Sequence, residues 1–449
     1  MNLHSLLASR AAAGKPVRVA MIGAGKFGAM FLAQARRTPG LHIVGIADLD
    51  PARARTTLAR IGWPDEQSGA TSADDALATG ATWLTDDAHS LMALEAVEVV
   101  VEATGDPAAG IAHALAAIDC GKHIVMVNVE ADVLVGPLLA ERARQAGVVY
   151  SLAWGDQPAL ICELVDWARA IGFEVVAAGK GTKYLPHYHA STPDTVWGHY
   201  GLTPEQAAVG GMNPQMFNSF LDGTKSGIEM GAVANATGLL PPADGLGFPA
   251  CDVDDLAEIL RPQVDGGVLE SSGRVEVISS LARDGAALAR DLRWGVYCVF
   301  RAPDEYVRRC FQEYGLRTDD SGWYSAMYKP YHLIGLELGI SVASAACRGE
   351  PTGQPQTWRA DVVATAKRAL KAGEMLDGEG GYTVWGKLVP ARTSMAQGAL
   401  PLGLAHGCRL RRDLPEGAVV AWQDVELDES QPSVQVRREL ERRFGPDNA

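Results

Sequence analysis

The chain contains several short runs in which residue type and spacing could do chemistry. The first is Gly23-Ala24-Gly25-Lys26-Phe27-Gly28. A G-x-G-x-x-G spacing set between an apolar run and a helix-forming stretch suits a dinucleotide. Gly23 permits a tight turn, Gly25 lets the main chain approach a pyrophosphate, and Gly28 lets the following helix lie close to the strand. Free N–H groups where that helix starts, around Lys26 and Phe27, then face the phosphates, and the helix dipole adds favourable potential. Asp48 stands 20 residues beyond Gly28 at the end of a second apolar run. That is the place for a carboxylate accepting from an adenosine ribose 2′-OH. A carboxylate there repels a 2′-phosphate, which favours NAD over NADP, and Arg53 and Arg55 close behind soften that preference. Ala103-Thr104-Gly105 follows a third apolar run and is expected to approach the nicotinamide end of the same ligand.

A second set of residues could act on a substrate. Lys180 and Lys183 lie within Gly179-Lys180-Gly181-Thr182-Lys183-Tyr184. An ammonium held in a dry site stabilises the alkoxide charge that develops when hydride reaches a carbonyl. It could equally hold a substrate phosphate or carboxylate, and the plain alternative is a solvated turn. Thr224, Lys225 and Ser226 follow a glycine at a helix start and form a candidate anion cradle. Glu229, one turn after Lys225, is either a general acid/base or an ion-pair partner of that lysine. Tyr324, Tyr328 and Lys329 crowd together; a lysine beside Tyr328 makes a proton-donor pair, since an ammonium lowers a phenol pKa. The alternative there is aromatic packing. Tyr184 and His187 are further substrate-contact candidates. On a strand His187 and His189 would point the same way. That spacing permits metal ligation, but no carboxylate stands nearby and the sequence locates no metal site.

These residues need elements to position them. Short apolar runs at Val17–Ile22, Leu41–Ala47, 97–101, 124–127 and 148–153 read as buried parallel strands, with helices such as 111–120 between them. The expected fold class is α/β. A Rossmann-type parallel sheet occupies 1–155 and is rejoined by an apolar helix near 330–348. Residues 156–329 form an α+β catalytic and dimerisation domain, with a helix at 157–171, a strand at 173–178 and a small-residue helix at 227–237. Residues 350–449 form a β-rich domain, with a helical or turn segment at 364–376, a strand at 382–388 and a solvated helix or frayed tail from 430.

Several longer stretches carry a family resemblance. VAMIGAGKFG, VVVEATG and GKHIVMVN (19–28, 99–105 and 121–128) resemble the nucleotide-binding half of homoserine dehydrogenases. GKGTKYL, NPQMFNSFLDGTKSGIE and YSAMYKPYHLIGL extend the likeness to a branch with a C-terminal SAF-like domain, the DXP-reductoisomerase-like proteins. LKAGEML and LPEGAVV (370–376 and 414–420) resemble the glycine-led apolar runs of a small SAF-type β-clip. The resemblance implies reductoisomerisation of 1-deoxy-D-xylulose 5-phosphate to 2-C-methyl-D-erythritol 4-phosphate, an isoprenoid-precursor step, with NAD or NADP and a divalent ion of unlocated site. Its alternatives are a dehydrogenase of a four- or five-carbon polyol or sugar acid, and a non-catalytic SAF-domain binding or assembly protein. One departure matters. Homoserine dehydrogenases carry a lysine in a T-x-N-K pattern, and here Val129 follows Asn128, so the proton must come from elsewhere.

Composition excludes other classes. The 449 residues carry 40 Lys+Arg against 54 Asp+Glu, a formal net charge of −14, which argues against a nucleic-acid partner. Apolar residues at 47% and charged at 21% exclude a disordered chain. Seven scattered cysteines without a C-x-x-C pair read as reduced thiols. No apolar run reaches the roughly 18 residues a membrane span needs, and 1–16 lacks a signal-peptide core. The expectation is a cytoplasmic homodimer acting on a small molecule.

Overall fold

The computed structural model describes residues 2–445. The chain folds as two compact units. One runs to Leu160 and takes in Leu333–Gln356; the other comprises Ile161–His332 with the chain from Thr357 onward.

The first unit is built on six parallel strands: β1 (Val17–Ile22), β2 (Leu41–Ala47), β3 (Trp83–Thr85), β4 (Val99–Glu102), β5 (His123–Met126) and β6 (Tyr150–Leu152). Their spatial order is β3-β2-β1-β4-β5-β6. Strand order reverses between β1 and β4, and a ligand crevice opens at such a switch point. Helices cover both faces, so the strands are apolar throughout: β4 is buried at every position, and β1 at all but Arg18. Val19, Met21, Phe31, Leu32, Ile46, Val101 and Val125 form the core, each contributing about 1.5–3 kcal/mol by leaving water.

The returning segment adds Leu338 and Val342 to this core. Its helix is shorter than the apolar run 330–347 suggests, spanning Gly339–Arg348. The preceding stretch is held irregular by close packing. Gly335 has φ +76°, and a Cβ there would stand 2.8 Å from Met30 Cβ and 3.0 Å from Phe27 O. Only glycine lets this chain cross the helix Lys26–Ala35 so closely.

The second unit contains a four-stranded sheet of β7 (Glu174–Thr182), β8 (Arg274–Ser279), β9 (Val296–Arg301) and β10 (Tyr324–Lys329), in the order β10-β9-β7-β8. β7 pairs parallel with β8 and antiparallel with β9. It runs beyond 173–178 through Gly179, Lys180 and Gly181. At Gly179 a Cβ would collide with Glu276 O, and at Gly181 with Leu292 O, so glycines let neighbouring chain close on the strand end. The helix Thr224–Thr237 is buried along almost its whole length, as its small residues require.

Beyond Thr357, β11 (Ala360–Ala366) and β12 (Val384–Pro390) form an antiparallel ladder, and β13 (Arg409–Leu410) pairs with β14 (Val425–Glu426). The segment 364–376 is not helical. It leaves β11 and bridges the other glycine-led run, with Leu370 and Leu414 exchanging backbone hydrogen bonds of 2.8 and 3.0 Å. The tail forms the helix Pro432–Phe444, which is not simply solvated, because Arg437 is fully buried. Among the described residues no helix is long and apolar enough to cross a membrane.

Candidate functional site

In the first unit the glycine-rich run forms the turn from β1 into the helix Lys26–Ala35. Gly23 adopts φ +92°, and a Cβ there would stand 2.7 Å from Ala103 O. At Gly28 it would stand 2.6 Å from Gly23 O, so two of the glycines are demanded by packing. Gly25 differs. It caps the helix, has no atom within 4 Å of its Cβ position, and is exposed together with Lys26, while Phe27 is half-buried. The packing does not explain Gly25; an open main-chain approach to a pyrophosphate does.

Asp48 ends β2 and is buried. Its Oδ2 accepts from Ala24 N at 2.9 Å, and its Oδ1 accepts from Asp50 N at 3.0 Å and Arg53 Nη2 at 2.8 Å. Burial alone would raise this carboxyl, but the two backbone N–H groups and Arg53 together hold it below the usual range. The acid thus ties the glycine loop to β2 while Arg53, largely exposed, lies on its outer edge. Across the crevice Thr104 and Gly105 are exposed beside half-buried Ala103. These residues fit an NAD-type coenzyme: a helix start with an open glycine, an ionised acid at the end of β2, and an exposed loop after β4.

Glu102 escaped the sequence reading. It is fully buried at the end of β4, where Oε1 accepts from Thr104 Oγ1 at 2.5 Å and lies 3.3 Å from His113 Nδ1, while Oε2 has no hydrogen-bond partner. Its place in an apolar strand run disguised it. Val129, the position that holds lysine in the resembling family, is buried in the first turn of the helix Val129–Gln145.

In the second unit the structure brings together Lys180 and Glu229. Lys180 Nζ donates to Glu229 Oε2 from β7 to the helix Thr224–Thr237, and both are buried. Glu229 therefore serves Lys180 rather than Lys225. The anion cradle at Thr224–Ser226 is closed from within. Thr224 and Ser226 are buried, Thr224 N donates to Asp222 Oδ1 at 2.9 Å, and Thr224 Oγ1 accepts from Gly386 N at 2.8 Å. Asp222 already places a carboxylate at this helix start and pairs with buried Lys367 at 2.7 Å.

Lys183 lies beyond the end of β7, half-buried, and its Nζ donates to His199 O at 2.5 Å. Burial and nearby Arg293 depress its pKa. His187 and His189 sit on a 3-10 turn (Pro186–Ala190) rather than a strand, so they do not face one way. His187 is exposed beside His199; His189 is stacked on Trp385 at 3.9 Å. His189 Nδ1 lies 2.6 Å from Asp222 O and its Nε2 lies 2.9 Å from Tyr184 Oη. With Nδ1 donating to the carbonyl, Nε2 accepts the phenol hydrogen, and burial lowers the imidazole pKa. Tyr184 also stacks on Phe248, which has a positive φ of +49°. His189, Phe248, Trp385, Asp244 and Lys387 line a cleft of about 190 Å³. No sequence signal pointed to Trp385, nearly 200 residues from His189.

Tyr324 is buried in β10 and donates to Asp265 Oδ2 at 2.7 Å; burial first, then that acid, push its phenol up to about 12. Tyr328 and Lys329 lie on the outer part of the same strand, and Tyr328 Oη accepts from Arg290 at 3.4 Å. Among the described residues no three His, Cys, Asp or Glu side chains are grouped so as to hold a metal ion.

Comparison with known proteins bears on both units. Residues 17–127 match the GFO/IDH/MocA profile, described as an oxidoreductase family with an NAD-binding Rossmann fold. Residues 155–338 match the profile of the oxidoreductase DRL catalytic domain. No curated protein matches the chain. Similar solved structures include an oxidoreductase domain protein from Kribbella flavida (18% identity over 37% of this chain and 43% of that one, TM-score 0.28). Another is a myo-inositol dehydrogenase from Lactobacillus casei with NAD(H) and myo-inositol (18% identity, 40% and 50% covered, TM-score 0.26). A third is an NAD binding oxidoreductase from Klebsiella pneumoniae (16% identity, 71% and 67% covered, TM-score 0.31). The chain spans only about half or less of the first two of these proteins.

Proposed function

We propose that this chain, an oxidoreductase that uses NAD or NADP, interconverts a carbonyl and an alcohol on a small polyhydroxylated substrate, with Lys180 as the group that meets the reacting oxygen. NAD(P), when bound, supplies the hydride acceptor or donor. The buried Lys180–Glu229 pair carries the reading. Taking two charges out of water costs several kcal/mol per ion, and an apolar pair of similar volume is often as stable. A buried ion pair is thus weak evidence of stabilisation, which leaves function as the reason for keeping this one. Lys180 Nζ donates to the substrate oxygen, stabilises it as negative charge develops, and releases a proton to it. Glu229 holds the ammonium in place between turnovers. Val129 cannot do this work, and the reading gives it to Lys180.

Within the reading, residues 1–155 with 330–348 supply the coenzyme crevice, 156–329 the catalytic machinery and dimer contacts, and 350–449 a SAF-like cap. Asp48 favours NAD, because its carboxylate would meet a 2′-phosphate. The specific form implied by the family resemblance is reductoisomerisation of 1-deoxy-D-xylulose 5-phosphate. Dehydrogenation of a four- or five-carbon polyol or sugar acid is the other form, and only the first changes the carbon skeleton. The catalytic-domain match sets aside a non-catalytic assembly role.

The test is a panel of hydroxyketone phosphates, polyols and sugar acids with each coenzyme, followed at the nicotinamide absorbance with product identification. Lys180→Met should lower kcat by about 100-fold or more while leaving coenzyme affinity in place. Undiminished turnover in that variant, or coenzyme binding without turnover of any panel member, overturns the reading.

A further inference from the structure

Around the end of β7 four cationic or cation-forming side chains converge from separate segments: Lys183, His187 on the 3-10 turn, His199 on the helix Val196–Tyr200, and Arg293 from the turn before β9. Lys183 Nζ and the Arg293 guanidinium both lie over the ring of Tyr200, 5.6 and 5.7 Å from its centroid. The rings of His187 and His199 are 5.7 Å apart, and Tyr188 lies 4.8 Å from His199. Gly181 makes the convergence possible, since any side chain there would strike Leu292 O and push Arg293 away. Among the described residues no carboxylate forms an ion pair with any of the four. Asp291 meets the Arg293 backbone N–H at 2.8 Å, and Asp222 pairs with Lys367.

A molecule with net charge −14 has carboxylates in excess, yet it leaves this cluster uncompensated and partly buried. The cations disfavour one another: Arg293 depresses Lys183, and His187 and Lys183 depress His199, each after the effect of burial. The two phenols add donors. Burial pushes Tyr200 up to about 12 and raises Tyr188, so both keep their hydrogens near neutrality. The cluster is rich in donors and lacks a carboxylate partner. Its complement is an acceptor-only group carrying more than one negative charge. Because the donors come from separate chain segments rather than one planar fork, a phosphoryl group with three acceptor oxygens suits them better than a carboxylate with two.

We propose that Lys183, His187, His199 and Arg293, with the hydroxyls of Tyr188 and Tyr200, form a binding site for a phosphoryl dianion. It rests on the oxidoreductase reading only for the identity of the molecule that carries the phosphoryl group, either a phosphorylated substrate or the coenzyme. The site replaces Thr224–Ser226 as the place for an anion and brings in Arg293, His199, Tyr188 and Tyr200 as contacts.

The full chain, labelled at its histidine rings, is titrated with inorganic phosphate and separately with acetate at constant ionic strength. The ring signals of His187 and His199 are identified from His187→Gln and His199→Gln. Phosphate should shift both signals saturably and acetate should not. Arg293→Met and Lys183→Met should each weaken phosphate binding by about tenfold, the loss of one charge-assisted contact. Coenzyme alone producing the same shifts and excluding phosphate assigns the site to the coenzyme; phosphate binding that persists with coenzyme bound assigns it to substrate. Absence of a saturable shift, equal shifts with acetate, or unchanged affinity in both variants overturns the proposal. Its failure is separable from failure of the oxidoreductase reading: turnover of an unphosphorylated polyol without phosphate shifts removes only this site, whereas phosphate shifts without any turnover keep it.

Discussion

Asp132 accepts a hydrogen bond from Tyr150 Oη at 2.8 Å through one carboxylate oxygen, while its other oxygen, sealed from solvent, has no partner. The pair sits inside the first unit, on the helix Val129–Gln145 and strand β6. Burial raises the Asp132 carboxyl to about 7, with the Tyr150 hydrogen bond acting the other way. In the second unit Glu276 is raised to about 7, again by burial, against the N–H groups of Val277, Gly247 and Phe248.

The pH dependence follows from the sign of these shifts. Both acids hold protons in the folded state at pH values where the unfolded chain has released them. Their contribution is fully present below the unfolded pKa near 4 and is lost as pH rises to about 7. Each therefore lowers stability toward alkaline pH by an amount on the order of a few kcal/mol. Asp132→Asn cannot ionise, so its stability relative to the parent should increase from about pH 4 to about pH 7 and then level off. Glu276→Gln should do the same in the second unit. Urea midpoints measured across this range check both, and variant curves parallel to the parent's would refute the assignment.

Gly25 and Gly28 should separate coenzyme binding from folding. Gly25→Val adds a side chain where nothing lies within 4 Å, at an ordinary φ of −68°. Its stability should stay within about 1 kcal/mol of the parent, while coenzyme affinity falls at least about tenfold, because the main chain no longer approaches the pyrophosphate. Gly28→Ala places a Cβ 2.6 Å from Gly23 O and 3.0 Å from Met21 Cε. That variant should lose about 1–3 kcal/mol, the usual cost of overpacking. Thermal melts with and without coenzyme, beside a direct binding titration, distinguish the two effects.

How much of this was legible follows from the range over which each feature acts. β1 and β2 were readable to the residue, since a buried parallel strand is a continuous apolar run and the glycine loop marks where β1 stops. The partner of Glu229 was not. An i,i+4 relation to Lys225 is visible along one helix, but Lys180 reaches Glu229 from a strand 49 residues earlier. The closed cradle at Thr224 was hidden because Asp222, which fills the helix start, looks from sequence like another loop acid. His187 and His189 were misread because periodicity says nothing of a 3-10 turn, and Arg293 joins Lys183 only through the close approach at Gly181.

The C-terminal helix gives the last case, where a charged sequence suggested a solvated tail. Arg437 is wholly buried, its Nη1 and Nη2 donating to Asp361 Oδ1 and Oδ2 at 3.0 and 2.6 Å and its Nε to Glu441 at 3.1 Å. The guanidinium also lies 4.8 Å from the Trp358 ring. Asp361 belongs to β11, so this fork ties the helix Pro432–Phe444 to the strand ladder. Arg437→Met keeps much of the volume but leaves a buried carboxylate without its cation, and should cost about 3–5 kcal/mol. Arg437→Lys should recover only part, because an ammonium cannot match both carboxylate oxygens in one plane. Arg437→Met with Asp361→Leu should recover more, since no charge is then left buried. Denaturant unfolding should show the loss in the transition of the second unit and leave that of the first in place. An Arg437→Met protein as stable as the parent would mean that the fork does not hold this helix.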